Sequence, residues 1–179
     1  MAFRRLSAEF YIRWVSGCDD GLTDDDLIFA LDLMKHAKHE LVAFYDRESG
    51  FEPTEWMEWA RDRNRLFLLL YRSDGTPLAA VWFSEPSRTG SQAFAHFCTF
   101  DTGAYGEYVR GGRLLLGFIG RETNIRQAMG ITPACYGHAL KLAYDLGFEK
   151  LTVLKKAVPV RGKNRDAILS INNIRELEV

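Results

Sequence analysis

The stretch "GITPACYGHALKLAYDLGFEKLTVL", Gly130 to Leu154, decides the fold, because a helix start, face and stop can all be read from it. Thr132 suits an N-cap, since its hydroxyl can accept from the first free N–H groups. Pro133 then suits the first helical position, where a missing N–H costs nothing. Ala139, Leu142, Ala143 and Leu146 fall at i, i+3, i+4 and i+7 and form one apolar stripe. Gly147 can take the left-handed conformation that closes a helix, and Phe148 packs back as the chain reverses. "EKLTVLKK" has the β-branched and apolar content of a strand, and "RQAMGI" before the helix reads as extended. The stretch therefore predicts a strand, helix, strand unit.

Working outward, the tail "RDAILSINNIREL" predicts a last strand that pairs back on "KLTVLKKAVPV" through the turn "RGKN". Upstream, "GEYVRGGRLLLGFIGRE" is helix-like, with Tyr108, Gly112, Leu115 and Ile119 on one face. "RLFLLLYR", "PLAAVWFSEP" and "SQAFAHFCTF", separated by turns containing Asp-Gly and Thr-Gly-Ser, predict a three-strand antiparallel meander. "EFYIRWV" has strand alternation, and "PTEWMEWARDRN" predicts a short helix whose tryptophans line a core or a pocket. "DDGLTDDDLIFALDLMKHAKHELVAFY" reads as one helix, capped by Thr23, with aspartates at its positive end and Leu27, Ala30, Leu31, Met34, Ala37 and Leu41 as its apolar stripe. A calcium loop needs ligands at spacings that "DDGLTDDD" lacks. No metal site is expected.

Composition excludes several classes of function. The 179 residues, 20.4 kDa, are read as one domain spanning 1–179, large enough for a core without disulfides or metal. Lys plus Arg total 23 against 24 Asp plus Glu, a formal charge of -1, so neither nucleic acid nor an anionic membrane is expected as main partner. Cys18, Cys98 and Cys135 show no C-x-x-C spacing and predict reduced thiols in a cytoplasmic protein. Apolar runs such as "LFLLLY" are far too short to span a membrane.

The order of elements, together with "GITPACYGHALKLAYDLGF", resembles the GNAT superfamily of acyl-CoA-dependent N-acyltransferases. In that family the penultimate helix usually begins near an Asn and ends in a Tyr-x-x-Leu-Gly-Phe pattern. The likeness runs from Arg65 to Val179 and, in helix order only, over the N-terminal third. It implies an α/β (α+β) fold: a mixed, mostly antiparallel central sheet flanked by helices, with one parallel pair of strands that splay apart. The strand ending near Phe100 and the strand before Thr132 are the expected pair, because a long connection containing a helix joins parallel neighbours. The resemblance further implies acetyl-CoA as acyl donor, its pantetheine arm in the cleft between those strands. The acceptor is then a small-molecule or protein amine, and a homodimer stays open.

Candidate site residues follow from the resemblance and from the chemistry of the residues. A diphosphate needs backbone N–H groups and positive charge, and Arg110, Gly111, Gly112 and Arg113 offer both. The same glycines equally suit close packing of the helix on the sheet. A second alignment, Asp101 to Gly106, keeps the family's loop length but places a carboxylate where a neutral or basic group is expected. Phe100 and Tyr136 complete the implied cofactor set, Tyr136 standing where the family has its Asn. An amine attacks only when neutral, which calls for a base, and departing thiolate profits from an acid. His96 shares a strand face with Phe94, Cys98 and Phe100 and is either that base or a hydrogen-bonded core residue. Ala143 stands at the family's tyrosine position, with Tyr144 one residue later and rotated about 100° round the helix; Tyr144 is the candidate acid. Trp56, Trp59 and Trp82 suggest an apolar lining without naming an acceptor. A GNAT-fold module without catalysis and an unrelated α/β binding domain remain the alternatives.

Overall fold

In chain order the elements are β1 (Phe3–Arg5), β2 (Phe10–Trp14), α1 (Asp24–His36), α2 (Glu40–Ala43), α3 (Pro53–Ala60), β3 (Arg65–Arg72), β4 (Pro77–Ser84), β5 (Gln92–Thr99), α4 (Tyr105–Glu122), β6 (Gln127–Pro133), α5 (Gly137–Asp145), β7 (Glu149–Val160) and β8 (Lys163–Asn173). The structure is a computed structural model that describes residues 3–15, 21–44, 47, 49–84, 89–101 and 103–174, apart from the side chains of Glu40 and Leu41. Cys18, Asp19, Asp20, Tyr45, Glu85, Pro86, Thr102 and the last residues of the expected final strand lie outside that description.

The strands form one sheet in the order β1-β2-β3-β4-β5-β6-β8-β7. All neighbours are antiparallel except β5 and β6, whose parallel ladder has only Gln92↔Gln127, Ala93↔Ala128 and Phe94↔Met129. Beyond Phe94 the partners change: β5 stays on β4 as far as Ala79↔Thr99, and β6 stays on β8 as far as Pro133↔Ala167. The expected meander and splayed pair are both present. The strand "RLFLLLYR" is apolar throughout because helices cover both faces. Leu68 and Leu70 face α4 and α5 with Phe10, Leu115 and Ile119, whereas Phe67, Leu69 and Tyr71 face α1 and α3 with Leu31, Met34, Trp56 and Trp82. Each fully buried large side chain contributes about 1.5–3 kcal/mol.

Besides α3, which ends at Ala60 and not at Asn64, two helix boundaries differ from the reading of the sequence. Thr132 and Pro133 do not open α5: they continue β6, paired with Ile168 and Ala167, and the helix starts at Gly137. Ala134 N–H donates to the Asp166 carbonyl at 2.8 Å, so by strand alternation Pro133 points its missing N–H away from β8 and costs the ladder nothing. Continued pairing outweighs a single capping bond. The stop at the other end follows expectation: Gly147 has φ 93°, its N–H donates to Tyr144 O, and Phe148 N–H donates to Ala143 O, a Schellman closure.

The long N-terminal helix is the second difference. Thr23 caps it as expected, its hydroxyl accepting from Asp26 N–H at 3.2 Å, but α1 ends at His36. Lys38 N–H donates to Lys35 O, His39 N–H donates to Met34 O, and Lys38 has φ 58°. This is the same closure built without glycine, at a cost of about 1–2 kcal/mol for a side chain in the left-handed region. Because no glycine marks it, periodicity reads straight through.

Candidate active site

Where β5 and β6 part, their edges can be followed atom by atom. Phe100 N–H donates to Leu78 O at 2.9 Å, so the even-numbered residues at this end of β5 hydrogen-bond to β4. The N–H and C=O groups of Ala95, Phe97 and Thr99 therefore turn toward the gap. On β6 the even-numbered residues serve β8, and Ile131 turns toward the gap from the other side. A cavity of about 460 Å³ fills this space. Its walls come from both faces of the sheet: Tyr105, Tyr108 and Leu142 from α4 and α5, and His39, Val42, Ala43 and Trp82 from the α1–α3 side. A molecule in it passes between the strands.

Several polar groups are fixed around this opening. The Tyr108 hydroxyl accepts from Asp101 N–H at 2.8 Å and donates to Asp101 O, which staples the turn from β5 into α4. Burial pushes the Tyr108 hydroxyl up to about 12, so it stays protonated. Tyr105 donates to Asp145 Oδ2 at 2.5 Å and accepts from Lys141 Nζ at 3.1 Å, tying the start of α4 to the end of α5. Among the described residues no side chain caps α4, whose N-cap is Ala104, and the Asp101 carboxylate is occupied by Gly103 N–H at 2.7 Å. The N–H groups of this first turn carry the positive end of the helix.

The residues expected to form the site are divided by the fold. His96 lines the cavity, stacked on Trp82 at 5.1 Å and 7°, with Nε2 3.3 Å from Ser84 Oγ. Tyr136 lines it as well, its hydroxyl raised above the ordinary value by burial. Phe100 is half-buried against the aromatic cluster under α1 and α3, outside the lining. Gly111 and Gly112 are buried in the second turn of α4, where added Cβ atoms would stand 2.9 Å from Leu70 Cδ2 and 2.6 Å from Leu146 Cδ2. Inside a helix their N–H groups belong to the i→i−4 ladder. Arg113 donates to Asp145 O from Nε at 3.0 Å and from Nη2 at 2.7 Å and so caps α5. Arg110 is exposed, 3.5 Å from Glu9, and its Nη1 lies 3.6 Å from where a Cβ on Gly106 would be. It reaches back toward the helix start. Tyr144 is 42% exposed and outside the lining, as its rotation from Ala143 dictates.

Comparison with solved structures decides what this architecture is. The chain superposes on RimL, the ribosomal L7/L12 alpha-N-protein acetyltransferase in complex with coenzyme A, with TM-score 0.78, 11% identity, and 98% and 99% of the two chains covered. It has the GNAT fold. The ribosomal-protein-S5-alanine acetyltransferase from Vibrio fischeri matches with TM-score 0.73 and 14% identity over 95% of this chain and 96% of that one. A point mutant of spermidine N-acetyltransferase SpeG from Vibrio cholerae matches with TM-score 0.68 and 13% identity over 93% and 94%. No protein-family model and no curated protein matches the sequence. At such identities the shared property is the GNAT fold. Among the described residues no helix is long and apolar enough to cross a membrane, and no His, Cys, Asp and Glu cluster is suited to a metal.

Sequence reasoning missed His39, Tyr105 and Tyr108 as part of the cavity lining. His39 was hidden inside an apparently continuous helix. The tyrosines carry no motif; their roles arise from hydrogen bonds across 40 residues to Asp145 and 7 to Asp101.

Proposed function

We propose that the protein is an N-acyltransferase that moves an acetyl group from acetyl-CoA to an amine in the cytoplasm. The carrying observation is the cavity between β5 and β6, which is walled from both faces of the sheet, so that donor and acceptor can approach from opposite sides. The gap-facing N–H and C=O groups of Ala95 and Phe97 suit the amides of a pantetheine arm, which would lie where β6 leaves β5. Tyr105, Tyr136 and Leu142 would flank the arm. The first turn of α4, with the Arg110 guanidinium beside Gly106, offers donors and positive charge for the diphosphate. Gly111, Gly112 and Arg113 then serve this site by fixing α4 against the sheet and α5.

The acceptor amine enters on the α1–α2 side, where Trp82 and His96 present a flat aromatic wall beside Val42 and Ala43. As the nitrogen lone pair forms the N–C bond, the C–S bond breaks and its electrons leave with sulfur. Tyr136 is the acid of choice: it lines the cavity, burial keeps it protonated, and its hydroxyl has no hydrogen-bond partner among the described residues. Calorimetry with acetyl-CoA and with free coenzyme A tests the first half, and intact-mass detection of acetylated amines from a panel of peptide, aromatic and polyamine acceptors tests the second. Absence of binding removes the reading. Binding of both cofactors without turnover favours a non-catalytic module, the reading to which the solvent-facing Tyr144 points.

A further inference from the structure

The break between α1 and α2 puts an imidazole where the departing strand left a carbonyl unpaired. Thr99 is the last residue of β5, and its C=O turns toward the gap that opens as β6 bends away. His39 Nδ1 lies 2.6 Å from this oxygen. A carbonyl only accepts, so Nδ1 carries the proton, and the lone pair of the neutral ring resides on Nε2. The backbone is held equally firmly: His39 N–H donates to Met34 O at 2.9 Å, and His39 O accepts from Val42 at 3.1 Å and from Ala43 at 2.9 Å. His39 lines the cavity on the side opposite α4 and α5. Lys38, at φ 58°, is the residue whose turn directs the chain there.

His96 has a different setting. Its ring is stacked on Trp82 and its Nε2 is within 3.3 Å of Ser84 Oγ. That places the His96 nitrogen in a polar contact on β4, whereas His39 is anchored through Nδ1, lines the cavity, and has no hydrogen-bond partner for Nε2 among the described residues. We infer that His39, not His96, is the general base of the transfer, with Nε2 taking the proton from the amine as its nitrogen bonds to the acyl carbon. The inference rests on the acyltransferase reading above. His96 acts with Trp82 as the wall against which the acceptor is laid. The proton passes from nitrogen to Nε2, the acyl group from sulfur to nitrogen, and the thiolate takes its proton from Tyr136 or solvent. The other titratable groups that share the cavity, among the described residues, are His96, Cys98, Asp101, Tyr105, Tyr108, Tyr136 and His138.

The variant that tests this is His39→Asn, because an asparagine amide can still donate to Thr99 O while offering no basic nitrogen. With acetyl-CoA as donor and phenethylamine as probe acceptor, turnover of His39→Asn is expected to fall about 10²-fold or more, the scale of lost general base help. Its melting temperature and acetyl-CoA affinity should match those of the wild type. Added imidazole should restore part of the rate in His39→Ala. A His39→Asn protein that turns over at the wild-type rate overturns the inference. So does a wild type that binds acetyl-CoA yet releases no thiol above buffer with either phenethylamine or water as acceptor. Long-range ¹H–¹⁵N correlation of the histidine rings gives an independent reading: the Nδ1–H form is expected, and the Nε2–H form sinks the assignment whatever the kinetics. Failure to bind acetyl-CoA at all would instead overturn the acyltransferase reading on its own.

Discussion

The two ends of the central meander are built from similar residues and behave differently. Between β3 and β4 seven residue pairs run from Arg65↔Ser84 to Tyr71↔Pro77, and the aromatic cluster of Phe44, Phe51, Trp56, Trp59, Phe67 and Trp82 seals the face above them. Between β5 and β6 pairing stops after three residues, and Phe97, Thr99 and Ile131 face a cavity instead of a neighbouring strand. The difference lies in where each strand finds its better partner. β6 has seven pairs with β8, and following β8 draws it away from β5. One region supplies rigidity, the other an opening, and the two are joined through the β4–β5 ladder.

The largest effect should come from breaking the sealed region. Trp56 is fully buried, and its Nε1 donates to Leu27 O at 2.7 Å, joining α3 to α1. Trp56→Ala should cost about 3–5 kcal/mol in urea unfolding. Acetyl-CoA affinity per folded molecule should hold, since α1 and α3 lie across the sheet from α4 and α5. A matched loss of affinity would show that the two regions are not separable.

A second change attacks the wall of the opening. A Cβ on Gly112 would stand 2.6 Å from Leu146 Cδ2, closer than real carbon atoms approach. Gly112→Val should therefore cost about 1–3 kcal/mol as α4 and α5 are pushed apart. Here stability and cofactor affinity should fall together, in contrast to Trp56→Ala. Unchanged binding would mean that the α4–α5 spacing does not shape the cleft.

Tyr108→Phe is milder. It removes the hydroxyl that accepts from Asp101 N–H and leaves the turn before α4 held by fewer bonds. Acetyl-CoA affinity should drop about tenfold, equivalent to roughly 1.4 kcal/mol, with a melting temperature lowered by a few degrees, for a hydrogen bond of about 1 kcal/mol. If the melting point falls but affinity does not, the staple is structural only.

What the sequence disclosed follows the same division. The sealed region was legible, because "RLFLLLYR" and "PLAAVWFSEP" are continuous apolar runs bounded by turn residues, and burial on two faces leaves that trace in composition. The parted strands were legible only in topology, from the long helical connection between "SQAFAHFCTF" and "RQAMGI". The site within them was largely not. Thr132 and Pro133 carry genuine helix-start chemistry, yet pairing with Ile168 and Ala167 decided their state. Gly111 and Gly112 sit beside arginines and read either as an anion loop or as close-packing residues, and the near approach of Leu70 and Leu146, which the sequence does not name, accounts for them as packing residues. His39 lay within an unbroken apolar period, and only the left-handed Lys38 reveals that the helix ends before it.

The smallest expected effect is a pH dependence confined to the sealed side. Burial pushes the Asp26 carboxyl up, but the Thr23 N–H at 2.8 Å, the Thr23 hydroxyl at 2.8 Å and Arg13 Nη1 at 2.9 Å together bring it below its ordinary value. A carboxyl depressed in the folded state favours folding when ionised. Its contribution is complete above the unfolded-state value of about 3.9 and disappears as pH falls through the lower folded value. The pair is partly open to water, with side-chain exposures of 25% and 23%, so solvent screening keeps the contribution to about 1 kcal/mol or less. Asp26→Asn should accordingly be less stable than the wild type at pH 7 by about that amount, and the gap should close on acidification below about pH 4. Acetyl-CoA affinity at pH 7 should be the same in both proteins. A gap that widens toward low pH would mean that Asp26 is destabilised by burial rather than held by Thr23 and Arg13, and would reverse the sign of its contribution.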